Sequence, residues 1–173
     1  MKFPSPFTIL FVFVILQETL NLAMADQKFI EDTCKNTPDY DLCMSILLAD
    51  PRSKDGDITA LSLIGVAAIK NKGVQIMKNV EDLKKSQPEL GDALDYCKKM
   101  YHAVVKVDVP LANQALRLGQ PKFAEDGVAD SAVESQACES TFGQHGQQSP
   151  MTDMNNSMNI LANVVRALVR NLL

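Results

Sequence analysis

Few residues in this chain have the type and spacing to do chemistry, and the chemistry open to each is narrow. The two histidines, His102 and His145, could serve as general bases, but a hydrolase needs a nucleophile, a base and an orienting group brought together. His102 adjoins Tyr101 on an apolar stripe and reads as a partly buried helix residue, while His145 sits in the loop-like run GQHGQQSP and reads as solvated. Glu81-Asp82 and Glu125-Asp126 are neighbours in sequence, so on a helix their side chains diverge by about 100° and face water. Acid/base work on a glycosidic bond needs two carboxyls facing each other across a cleft. No catalytic residue is therefore assigned.

The four cysteines, Cys34, Cys43, Cys97 and Cys138, contain no Cys-x-x-Cys pair, and with two histidines they make a poor zinc set. No metal and no cofactor is expected. An even count in a secreted chain reads as disulfides. Three pairings are possible. Cys34 and Cys43 lie close in DTCKNTPDYDLC with Pro38 between them, so the pairing chosen is Cys34 with Cys43 and Cys97 with Cys138. In the loop-entropy account these crosslinks contribute at most about 3 and about 4 kcal/mol.

One further cluster carries chemistry of another kind. In GQPKFAEDG, Gly119 suits the position after a helix and Pro121 the first position of the next. Glu125 and Asp126 then fall near the positive end of the helix dipole, which favours them. Lys122 does not belong there: the dipole opposes a cation in the first turn by a few tenths of a kcal/mol. Phe123 lies off the apolar line of its own helix. From residues alone, the plain reading is a solvated lysine and an aromatic staple on a neighbouring helix. The sharper reading is a protruding cation beside an aromatic anchor, suited to an acidic pocket on another protein.

The elements that must hold this turn are helices. The chain opens with Lys2, an apolar run from Phe7 to Leu16 and Ala23-Met24-Ala25, the pattern of a secretory signal peptide over residues 1–25. That run is too short to span a bilayer, and no later segment offers about twenty apolar residues. Residues 26–173 are one domain's worth of chain. A formal charge of −4 and a pI near 5.1 provide no basic stripe, so neither nucleic acid nor a membrane is an expected partner.

From the N-cap candidate Asp57, the line Ile58, Leu61, Gly65, Ile69, Ile76, Val80, Leu83 keeps helical spacing to about Ser86. A second line runs Leu90, Leu94, Cys97, Tyr101, Val104, Asp108, Leu111, Ala115, Leu118, with Pro110 inside it predicting a kink or break. VVKVDVP around Pro110 is the only β-leaning stretch. The third line, Ala124, Val128, Ser131, Ser135, Cys138, Phe142, is dominated by small residues, and the fourth, Met154, Met158, Leu161, Val165, Leu168, Leu172, is a strict four-three repeat.

These lines predict an all-α fold: an antiparallel up-down four-helix bundle over 56–173, preceded by a disulfide-stapled helical hairpin within 26–55. Met154 and Met158 read as core rather than as the lining of an adaptable pocket. Asn155-Asn156-Ser157 is a sequon, so Asn155 is a candidate glycosylation site.

At DTCKNTPDYDLC, GDITALSLIGVAAI, PKFAEDG and NILANVVRALVRNLL, the sequence resembles the plant invertase and pectin methylesterase inhibitor family. The similarity is greatest to the branch that inhibits acid invertases, the cell-wall or vacuolar β-fructosidases. The four cysteines fall where that family keeps two disulfides, and the GQHGQQSP loop departs from its pattern. The resemblance implies a secreted bundle with an N-terminal hairpin that binds acid invertase as a 1:1 complex. It also implies that Pro121, Lys122 and Phe123 enter the enzyme's anionic sucrose pocket. Lys122 would pair with the catalytic carboxylates, Phe123 would pack on the rim and Pro121 would stiffen the turn.

Inhibition of pectin methylesterase on the same scaffold is the alternative, and there those three residues should matter little. A carrier of small apolar ligands, the third reading, needs a cavity that regular stripes do not predict. With no sorting extension after Arg170, the expected location is the cell wall, with the vacuole as the other possibility.

Overall fold

The capping residues act as their types demand. The Asp39 carboxylate accepts the N–H of Leu42 at 2.9 Å and that of Asp57 accepts the N–H of Ala60 at 2.9 Å, each satisfying a donor left over at a helix start. They open α2 (Tyr40–Leu48) and α3 (Ile58–Ser86). The computed structural model describes residues 27–54 and 56–173, which contain no strand. The expected signal peptide lies outside the described residues.

A first helix over 27–34 (α1) is joined to α2 by the Cys34–Cys43 disulfide, with Cα atoms 5.5 Å apart. Ile30, Leu47 and this disulfide form a small core with Leu61, Ile64, Val164 and Leu168. The hairpin therefore rests on the first and last helices of the bundle. After the short 3₁₀ turn Pro88–Leu90 come α4 (Gly91–Ala103), α5 (Val109–Arg117), α6 (Pro121–Gln144) and α7 (Thr152–Arg170).

The helix α3 packs on α4, α5 and α7, and α6 packs on the same three from the opposite corner. With α4 and α5 continuing one another, this is an up-down four-helix arrangement closed by short connections. Cys97 of α4 and Cys138 of α6 form the second disulfide, with Cα atoms 4.5 Å apart. Such an approach is available because the α6 stripe is built from Ala124, Ser131 and Ser135 rather than large residues. Gly127 takes this to its limit: a Cβ there would lie 2.9 Å from the Asp108 carbonyl oxygen.

The expected kink at Pro110 takes the form of a π-helical segment, Val104–Asp108. Proline lacks an N–H and its ring crowds the carbonyl four residues back, and a wider turn just before it relieves both. VVKVDVP is thus helical despite its β-branched composition. The extra residue in the π turn rotates everything after it by about 100°, which overturns part of the second apolar line. Leu111 and Leu118, expected in the core, are exposed, while Val109, Ala112 and Leu116 are buried together with Ala115.

The same segment buries Asp108, whose Oδ2 has no hydrogen-bond partner among the described residues. Burial, reinforced by the charges of Asp130 and Glu134 on α6, pushes its carboxyl up to about 6 from an ordinary 3.8. A group with a raised folded value stabilises the fold fully below its unfolded value. That contribution is lost as pH rises through the folded one. Two pH units amount to roughly 2–3 kcal/mol. The wild type should therefore lose about 6 °C of melting temperature between pH 4 and pH 7 that Asp108→Asn does not lose. Equal losses in the two proteins, measured by thermal circular dichroism, would rule out Asp108 as the group responsible.

Candidate functional site

The turn between α5 and α6 is built by backbone hydrogen bonds rather than by packing. Gly119 has φ +66°, its N–H donates to Leu116 O at 3.1 Å, and the Gln120 N–H donates to Ala115 O at 2.8 Å. These paired bonds close the helix end in a Schellman motif, for which a glycine in the left-handed region is the least strained choice. Pro121 then begins α6 with its φ already set. The reversal is short and stiff, and it projects the next two side chains. Phe123 is 58% exposed, and Leu118 across the turn is 61% exposed. Among the described residues Phe123 neither joins nor packs against a buried core cluster, unlike the staple of the plain reading.

Lys122 is neither buried nor free. Its Nζ donates to Glu125 Oε2 at 2.9 Å and lies 3.3 Å from Asp126 Oδ1, while its side chain stays 65% exposed. These carboxylates reverse the dipole argument: a lysine that is unfavourable toward the helix start is held there by partners one turn on. Hydrogen bonding to Glu125 and Asp126 raises its ammonium above the usual lysine range.

Glu125 is the residue that sequence reasoning placed wrongly. Expected to face water, it is 3% exposed. Its Oε1 accepts from Arg166 Nε at 2.9 Å and from Arg170 Nε at 2.7 Å, both on α7. Hydrogen bonds from Lys122 and the two arginines outweigh desolvation and hold its carboxyl at about 2, so it is ionised at any physiological pH. Three cations thus meet two carboxylates, and the local charge stays positive. The Arg-x-x-x-Arg spacing of Arg166 and Arg170, one helical turn apart, was the available signal, but nothing in the sequence says which helix that face meets.

Other singled-out residues serve the scaffold. Tyr101 donates to Asn155 Oδ1 at 2.7 Å, and Asn155 Nδ2 donates to Glu139 Oε2 at 2.6 Å. Ser149 and Thr152 hydroxyls complete the Glu139 carboxylate. Asn155 is 2% exposed, so the folded protein does not present its amide to a glycan, contrary to the sequon reading. The sequon missed this because it reports three residue types and not the burial of the first. Met158 is buried, Met154 packs against the core, and His102 and His145 are both exposed on the surface. An open groove of about 660 Å³ is bordered by residues such as Leu42, Ile46, Ile64 and Lys72. It lies beside α2 and includes no residue of the Pro121–Phe123 turn.

The family model described as plant invertase/pectin methylesterase inhibitor matches residues 28–173. The chain belongs to this family. It is 40% identical over 145 residues to the cell wall / vacuolar inhibitor of fructosidase 1 of Arabidopsis thaliana, covering 84% of this chain and 69% of that protein. Among solved structures it resembles a mutant form of a pectin methylesterase inhibitor from Arabidopsis, with TM-score 0.66 and 14% identity over 79% of this chain and 92% of that one. A pectin methylesterase inhibitor from Arabidopsis thaliana gives TM-score 0.60 and 13% identity over 84% and 97%. At those identities the likeness is of fold. Among the described residues, no helix of this inhibitor-family chain is long and apolar enough to cross a membrane.

Proposed function

We propose that this protein inhibits a plant acid invertase by inserting the Pro121-Lys122-Phe123 turn into the sucrose-binding pocket, as a 1:1 complex in the cell wall. The observation that carries this reading is the preformed turn, which offers an ammonium and an exposed ring side by side on a stiff reversal with a net positive surround. The similarity to a protein named an inhibitor of fructosidase supports the choice of target. A sucrose-cleaving retaining glycosidase carries a nucleophilic carboxylate and an acid, so its pocket is anionic and complementary to Lys122. Rigidity before binding limits the ordering cost. In this reading the chain performs no reaction.

Titration of the oxidised protein against purified cell-wall invertase, vacuolar invertase and pectin methylesterase at acidic pH tests the proposal. Sucrose hydrolysis should fall linearly to an endpoint at one inhibitor per enzyme, with pectin de-esterification unchanged. Full invertase activity at a tenfold excess, or loss of methylesterase activity alone, would reverse the assignment.

A further inference from the structure

We propose that Glu125 is a positioning residue for target recognition: its buried carboxylate fixes Lys122 by linking it across the bundle to Arg166 and Arg170. This rests on the reading of the turn given above and adds to it a residue that the target never touches.

An exposed i,i+3 ion pair on a helix is too weak to hold a lysine in one place. This pair differs in two respects. Glu125 is nearly inaccessible to solvent, and its two oxygens have separate duties: Oε1 takes both Arg166 and Arg170, and Oε2 takes Lys122. The carboxylate cannot turn toward or away from Lys122 without breaking two charge-assisted bonds to α7. The lysine, on a flexible four-carbon stem, thereby inherits a fixed position from a helix more than forty residues distant in sequence.

Holding Lys122 this way does not consume it. An ammonium has three donors; one is directed to Glu125 and a weaker contact is made to Asp126, leaving a donor for a carboxylate on the target. The two guanidiniums keep the cluster cationic even though Glu125 is ionised. Among the described residues, each arginine makes its side-chain hydrogen bond through Nε alone, so the terminal nitrogens still contribute positive potential at the surface. A bare lysine opposite Glu125, without the arginines behind it, would be neutralised instead.

The test is the inhibition constant against acid invertase hydrolysing sucrose, measured for wild type, Glu125→Gln, Lys122→Ala and the two combined, with melting temperature recorded for each. Glu125→Gln keeps the side-chain volume and should weaken inhibition about tenfold, and Lys122→Ala about thirtyfold. The combined variant should be no weaker than Lys122→Ala, because Glu125 acts through Lys122. A merely structural role would weaken inhibition equally with and without Lys122, and that result overturns the proposal, as does wild-type potency for Glu125→Gln. If Glu125→Gln does not fold, Arg166→Gln with Arg170→Gln leaves the Glu125–Lys122 pair unsupported and should give the same Lys122-dependent loss; undiminished potency there overturns it equally. Full potency of Lys122→Ala would instead defeat the reading of the turn itself.

Discussion

Replacing Lys122 and Phe123 together with alanine should abolish inhibition of acid invertase while leaving the helical circular dichroism spectrum unchanged. The size of the effect follows from what each side chain gains on binding. Moving a half-exposed ring into a closed pocket is worth about 1.5–3 kcal/mol, and a charge-assisted hydrogen bond to a carboxylate about 1.5–3 kcal/mol. Together that is a loss of roughly a hundredfold or more in affinity.

The folded state should hardly notice the double substitution. Phe123 is 58% exposed, so its removal leaves no cavity. Without Lys122, Glu125 keeps Arg166 and Arg170, and the buried carboxylate is not orphaned. The cost should stay within about 1 kcal/mol. Undiminished inhibition by a normally folded double variant would place the contact elsewhere on the bundle.

Removing the Cys97–Cys138 crosslink should have the largest effect on stability. Closing a loop with a sequence separation of 41 corresponds to about 4 kcal/mol of denatured-state entropy. The site offers little to compensate, since both cysteines are completely buried beside Tyr101 and Met151. Cys97→Ala with Cys138→Ala should lower the urea midpoint by about 2 M. A shift under about 0.5 M would show that the bundle does not depend on this link.

Inhibition by that variant, assayed well below its midpoint, should survive. Cys138 lies sixteen residues along α6 from Lys122, about 24 Å at 1.5 Å per residue, and the turn is closed by its own backbone bonds. The Cys97–Cys138 and Lys122–Phe123 variants thus separate stability from recognition, with each expected to move one measurement and leave the other.

What the sequence determined by itself is what depends on neighbours along the chain. Four helical stripes, the Asp57 cap and the Gly119 stop with the Pro121 start are set by local propensity, side-chain period and permitted φ. The structure carries each of them except the second stripe beyond Pro110, and it joins Cys34 to Cys43 and Cys97 to Cys138. The family resemblance was legible for the same reason, because its motifs are short contiguous strings.

Only the tertiary structure decided the matters that require knowing which faces meet. The π turn before Pro110 shifts the register, so that Leu111 and Leu118 emerge and Val109, Ala112 and Leu116 are buried; the proline predicts a break, but the face that is buried after it is the one that meets α3 and α6. Asn155 is enclosed because Tyr101 and Glu139 converge on it from two other helices. Glu125 is buried because α7 brings two guanidiniums to it from sequence separations of 41 and 45. Local rules leave a carboxylate in the opening turns of a helix facing water. The attraction of two cations, fixed on a helix folded later in the sequence, outweighs the cost of taking it out of water and turns a surface lysine into an anchored one.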